Sequence, residues 1–257
     1  MIGLGVAAIR RLKACLNGGR QLGDHLALPL SPAELADAAE AAVMAGAEAL
    51  HLHPRDRRGI ESLDAANVHA AVAAVRAACP RTSIGVSTGL WITGGDVAAR
   101  HVRVSAWSEL PADGRPDFAS VNVGEPGFAA VVEVLLASGF AVEAGVWSVG
   151  DADALAASGL APHCLRILVE VIGVLAAEAE PTASAILSRL DAHGLTEPRL
   201  LHGEDGSVWL LIALAGRLGL PTRIGLEDTL IGVDGRPAVD NADLVRQALT
   251  VYNRLST

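Results

Sequence analysis

The feature that most constrains this chain is an alternation repeated from one end to the other: eight short apolar runs, each followed by a stretch with helical periodicity. The strand-like runs cover 13–17, 47–53, 83–88, 118–123, 141–146, 165–171, 199–202 and 223–227. The helical stretches cover 32–45, 65–78, 95–107, 128–137, 152–157, 183–192, 208–218 and 242–255. Strands that each return through a helix run parallel, because a parallel pair needs a crossover long enough to hold one. Eight such units in 257 residues predict a (β/α)8 TIM barrel, a single domain over residues 1–257. An open doubly wound sheet would prefer a G-x-G-x-x-G turn after the first strand, and Gly18-Gly19 is a poor version of it. Ser31-Pro32 with Glu34 behind it, and Asn241 before an apolar-periodic run, predict helix starts. Gly46, Gly139 and Gly219 fall where left-handed helix caps are expected.

Composition narrows the functional classes. A net charge of −9 argues against non-specific nucleic-acid binding. Every long apolar run is interrupted by charge or glycine, so no membrane span is expected. In residues 1–11 the apolar stretch precedes Arg10 and Arg11, the reverse of a secretory signal. Cys15, Cys79 and Cys164 are odd in number and set in apolar runs, as expected of reduced core residues in a cytoplasmic protein.

In a barrel of this kind the site is built at the C-terminal ends of the strands. Polar residues gather there: Asn17, His51 and His53, Ser87 and Thr88, Asn122, Glu143, His202 and Glu204, then Glu227 and Asp228. His51 and His53 lie two apart on one strand end, so their imidazoles leave on one side, as two cis ligands of a Zn²⁺-like ion do. A third ligand should be hard, anionic and near the second strand. Glu227 fits, since the eighth, first and second strands become neighbours when the barrel closes. Two imidazoles and one carboxylate leave a coordination position open, as catalytic sites require. The plainer role for Glu227 is an ion pair with Arg223, four residues earlier.

His51-Leu52-His53-Pro54-Arg55-Asp56, Gly85-Val86-Ser87-Thr88-Gly89 and Arg223-Ile224-Gly225-Leu226-Glu227-Asp228 occur in that order. With these motifs the chain resembles the β-keto acid cleavage enzymes, zinc-dependent (β/α)8 proteins, over residues 13–253. The resemblance implies condensation of a β-keto acid with acetyl-CoA to give acetoacetate and a new acyl-CoA. It implies His51, His53 and Glu227 as ligands of Zn²⁺ or a similar divalent ion, which would chelate the keto acid and acidify the carbon between its carbonyl groups. Asp228 would be the general base, Arg223 the group that stabilises the enolate or oxyanion, and Ser87, with Thr88 and Gly89, the carboxylate site. Asn17, Arg20, Asn122 and Glu143 would line the substrate pocket, in a homo-oligomer, a tetramer by the same resemblance.

After the first strand, where some members carry a Glu for an amino-bearing substrate, this chain has Asn17-Gly18-Gly19-Arg20. Arg20, free or paired with Glu143, would disfavour a cationic substrate and favour a neutral or anionic one. The competing reading is an amidohydrolase-like metal-dependent hydrolase. That class wants histidines ending the fifth and sixth strands, where Val146 and Val171 stand. A non-catalytic barrel with structural histidines is the third reading. His25, His69, His101 and His193 read as solvated, Arg55, Arg57 and Arg58 as a charged surface loop, and Trp91 as a loop anchor.

Overall fold

The computed structural model describes residue 6 and residues 8–255; most of the apolar start lies outside them. The strands are β1 (Leu12–Cys15), β2 (Ala49–Leu52), β3 (Ser83–Ser87), β4 (Phe118–Asn122), β5 (Ala141–Val146), β6 (Arg166–Val171), β7 (Arg199–Gly203) and β8 (Thr222–Ile224). They alternate with α1 (Pro32–Met44), α2 (Ala65–Ala78), α3 (Val97–Ser105), α4 (Phe128–Ala137), α5 (Val149–Ser158), α6 (Ala176–Ala192), α7 (Val208–Leu218) and α8 (Asn241–Leu255). All the ladders are parallel, in the order β7-β6-β5-β4-β3-β2-β1-β8. The seam between β7 and β8 is bridged by the Leu201 amide donating to the Pro221 carbonyl (2.9 Å) and the Asp205 amide to the Asp228 carbonyl (2.7 Å). The architecture is the (β/α)8 barrel. Among the described residues no helix is long and apolar enough to cross a membrane.

Local chemistry sets the helix ends. Ser31 caps α1 in a full capping box: its hydroxyl accepts from the Glu34 amide, and the Glu34 carboxylate accepts from the Ser31 amide. Two expected starts are corrected. Asp240, not Asn241, caps α8, its carboxylate accepting from the Asp243 amide (2.7 Å). The Asn241 side chain instead accepts from the Leu226 amide and donates to the Leu16 carbonyl, tying the turn after β8 to the end of β1. Helix α6 begins at Ala176 and carries Pro181 inside it. Proline forfeits one helical hydrogen bond, but Ala179, Ala183, Ile186 and Leu190 bury one continuous face, and that burial carries the helix through.

The main core lies between the strands and the helices. Among the described residues a small apolar cluster, Ile9, Ala49, Leu168 and Leu200, lies apart from it inside the barrel. Above that cluster the interior is ionic. Glu143 on β5 meets Lys13 Nζ (2.6 Å) and Arg166 Nε (3.1 Å), and both cations lie over the Phe118 ring. Gly85 leaves the space this ring fills, since a Cβ there would overlap it. The three cysteines are free and buried, as expected of core residues.

Candidate active site and metal centre

A cavity of about 390 Å³ opens at the C-terminal ends of the strands. Its walls include His51, His53, Glu227 and Arg223 on one side and Ser120, Asn122, Trp147 and Glu170 on the other. His51 lies in β2 and His53 one residue past it, so strand alternation points both rings into the mouth. Their Nε2 atoms approach to 3.3 Å. Glu227 lies in the turn after β8, with its carboxylate 3.9 Å from His51 Nε2 and 3.6 Å from His53 Nε2. The ligand atoms of these three residues lie within 4.8 Å of one another.

This donor set fits a divalent ion. Glu227 Oε2 is buried with no hydrogen-bond partner, a costly state that coordination would relieve, and the His51 and His53 Nε2 atoms face it. Burial pushes the His51 pKa well below its usual value, Glu227 opposing. Burial works against charge on His53 too, but Glu227 and Glu61 outweigh it and raise that pKa to about 9. Burial resists ionisation of Glu227, but Arg223 and the two histidines outweigh it and hold the carboxyl well below the usual range.

Two loops aim the ligands. Asn17 Nδ2 donates to the His53 carbonyl (3.0 Å) and its Oδ1 accepts from the His53 amide (2.9 Å). Both polar ends of Asn17 are consumed in holding His53, so it does not serve as the expected wall of the pocket. Gly18 follows at φ +53, and a Cβ on it would overlap the Glu227 side chain. Gly18→Ala is therefore expected to displace Glu227, lower metal affinity at least about tenfold and cost about 1 kcal/mol through the left-handed backbone. Metal titration beside thermal melting checks both; unchanged affinity would detach Gly18 from the site.

Glu61, which sequence reasoning missed, orients His53. Its carboxylate lies 2.5 Å from His53 Nδ1 and accepts from Trp91 Nε1 at 3.1 Å. It arrives on a hairpin-like bridge between Arg55 and Glu61, with no spacing signal to mark it. Trp91 does more than anchor a loop: its ring stacks on His53 and lines the cavity. A carboxylate behind a ligating imidazole fixes its tautomer and raises its basicity. Glu61→Gln is expected to weaken metal binding by about 10–100-fold. Competition with a chromophoric chelator measures it, and an unchanged constant would make Glu61 structural only.

Arg223, on β8, organises the rest. Its Nε and Nη2 donate to Asp228 Oδ1 (2.9 and 2.7 Å), and Nη2 also donates to Glu227 Oε1 (2.9 Å). Asp228 Oδ2 is buried without a partner, and Asp228 lies behind Arg223 and Glu227 rather than in the cavity wall. Burial raises the Asp228 pKa, and Arg223 and His202 offset this only in part. His202 on β7 shares a hydrogen bond with Glu170 Oε2 on β6 (2.8 Å), its Nδ1 lying 3.8 Å from Asp228. Glu170, also absent from the sequence reading, reaches the cavity because it is next to last in a strand whose alternate residues face inward.

Residues 11–257 match the family described as beta-keto acid cleavage enzyme. The chain belongs to that family. No curated protein sequence matches it. In fold it is similar to the apo structure of ObcA, at 19% identity and TM-score 0.69, covering 87% of this chain and 61% of that one. The chain thus spans about three-fifths of that relative's length. It is also similar to a ternary complex of ObcA with a C4-CoA adduct and oxalate, at 18% identity and TM-score 0.67, covering 90% of this chain and 67% of that one. 3-Dehydroquinate dehydratase from Geobacillus kaustophilus HTA426 shares the fold at 13% identity and TM-score 0.60, covering 100% of this chain and 99% of that one.

In this β-keto acid cleavage family member, the remaining expected site residues divide. Ser87 lines the cavity, its hydroxyl accepting from the Gly89 amide (3.2 Å). The Thr88 hydroxyl is turned away, donating to the Ser120 carbonyl (2.7 Å), and neither Thr88 nor Gly89 lines the cavity. Asn122 does. Glu143 does not: it sits two residues below Gly145 on the same strand face, one layer deeper, where Lys13 and Arg166 reach it. Arg20 lines the cavity but pairs with Asp205 (2.7 Å), not Glu143. Its guanidinium is held at the rim by that ion pair. Arg55 is buried rather than a surface charge, donating to the carbonyls of Gly18, Arg20 and Gly59 and so clamping the loops after β1 and β2 together. His25 and His69 are likewise half-buried, His25 bonded to the Ala238 carbonyl.

Proposed function

We propose that this protein cleaves a β-keto acid with acetyl-CoA, giving acetoacetate and a new acyl-CoA. The observation that carries the reading is the convergence of His51, His53 and Glu227 at the mouth, with Arg223 and Asp228 bonded directly behind them. His51, His53 and Glu227 would hold a divalent ion, Zn²⁺ being the best match to two imidazoles and a carboxylate. Bound there, the ion supplies Lewis acidity to the keto oxygen and the carboxylate of the substrate.

Asp228 takes the proton from the carbon between the two carbonyl groups through Oδ2, which carries no competing bond. Two bonds from Arg223 to Oδ1 keep the carboxylate from rotating away. Arg223 faces the cavity and balances the negative charge that develops on the enolate. Ser87 holds the substrate carboxylate. The carbanion attacks the acetyl carbonyl and expels CoA thiolate. The thiolate then adds to the original keto carbon, the adjacent C–C bond breaks, and Asp228 returns its proton to the departing acetoacetate carbon. Atoms and electrons balance with no oxidant or reductant.

The hydrolase alternative needs histidines at the ends of β5 and β6, where Val146 and Val171 stand. A homo-oligomer in the cytoplasm belongs to the same reading. The test is incubation of metal-loaded protein with acetyl-CoA and a panel of 3-oxo acids, following acetoacetate and acyl-CoA by mass spectrometry. Metal-dependent formation of both in equal amounts is the expected result. Turnover that proceeds without the thioester would replace the proposal with a hydrolase.

A further inference from the structure

We infer that the wall opposite the metal centre is a subsite for a hydrogen-bond donor on the substrate's acyl arm, a hydroxyl or an ammonium, formed by Glu170 and Asn122 across Gly145. The inference rests on the cleavage reading above and names the substrate class of that same site.

The three residues stand on the consecutive strands β4, β5 and β6, with Asn122 and Gly145 in register. Their neighbours fix which atoms face the cavity. Glu170 Oε2 is engaged by His202 Nε2 at 2.8 Å, which leaves Oε1. Asn122 Nδ2 donates to Glu125 Oε1 at 2.9 Å, which leaves Oδ1. The two remaining oxygens converge on one spot. A Cβ on residue 145 would overlap Glu170 Oε1 and lie 2.8 Å from Asn122 Oδ1. Glycine at 145 is what lets both oxygens approach the β5 backbone, and each other, this closely.

Among the described residues neither oxygen has a donor, and both side chains are buried, 5% and 9% exposed. Burial resists ionisation of Glu170, but His202 and Arg223 outweigh it and keep the carboxylate anionic. Two acceptors facing each other at a cavity wall repel, and a donor entering between them would satisfy both. With the His51, His53 and Glu227 group holding the reacting end at β2 and β8, the arm of the substrate runs toward β4–β6. A methyl-ended arm would leave both acceptors unpaired, and sites built to bond a donor reject such analogues strongly. Arg20, at the rim, is paired with Asp205, which offsets its repulsion of an ammonium.

Three 3-oxo acids of matched length, with arms ending in methyl, hydroxyl or ammonium, test this with acetyl-CoA and the metal-loaded enzyme. The hydroxyl or the ammonium arm is expected to exceed the methyl arm in kcat/KM by about a hundredfold or more, and the better of the two identifies the donor. Glu170→Gln, and Gly145→Ala as an independent variant whose Cβ would push the two oxygens apart, should each shrink that ratio below about tenfold. Circular dichroism and metal content establish that each variant is folded and loaded. A wild-type enzyme that prefers the methyl arm overturns the subsite while leaving the cleavage reading intact. So does an equal loss on all three substrates in both variants, which would make these residues structural. Failure to turn over any of the three overturns both.

Discussion

His51→Ala and His53→Ala are each expected to yield a folded barrel that no longer retains a divalent ion, with activity reduced on the order of a thousandfold or more. The imidazoles contribute two of the three donors at the mouth, and Glu227 alone is a weak monodentate site. The barrel should survive because the main apolar core lies between strands and helices, apart from these rings. Elemental analysis of tag-free protein gives the readout: about one ion per chain in the wild type and none in either variant. Retention of the ion in both would move the metal centre elsewhere. Of the two, His53→Ala should also disturb Glu61 and Trp91, which pack on that ring.

Asp228→Asn separates proton transfer from binding. The amide is nearly isosteric and can still accept one bond from Arg223, but it cannot take a proton. Turnover is expected to fall by about 10²–10⁴-fold, with metal content and substrate affinity close to wild type. Deuterium exchange at the carbon between the substrate's carbonyl groups should fall in parallel. Exchange that persists in Asp228→Asn would transfer the base to another carboxylate. Glu170 is then the nearest candidate on structural grounds, since Glu143 is sealed under the cavity by Lys13 and Arg166.

Much of the reactive centre was legible because its spacing is local. His51 and His53 share a face through the two-residue repeat of a strand, and Arg223, Glu227 and Asp228 fall within one strand end and its turn. Glu61 and Glu170 were not legible. One is brought to His53 by a loop bridge and the other to His202 by a neighbouring strand, and neither contact leaves a period in the sequence. Arg55 looked like one of several loop charges, and only the meeting of two loops shows it donating to three carbonyls. Helix α6 runs seven residues ahead of the 183–192 stretch expected from periodicity and across Pro181, locally a breaker, because burial of its apolar face is a tertiary effect.

What the sequence by itself determined is the eightfold alternation, hence the parallel barrel, and the paired imidazoles that a strand end must present together. Periodicity and residue type suffice there, because backbone geometry converts spacing directly into direction. Only the closed barrel decided the depth at which each charge sits. Glu143 and Glu170 look alike as carboxylates on inward-facing strand positions, yet one is buried against Lys13 and the other opens onto the cavity. Strand stagger and the reach of partners from other strands set that difference, and neither is written in local spacing.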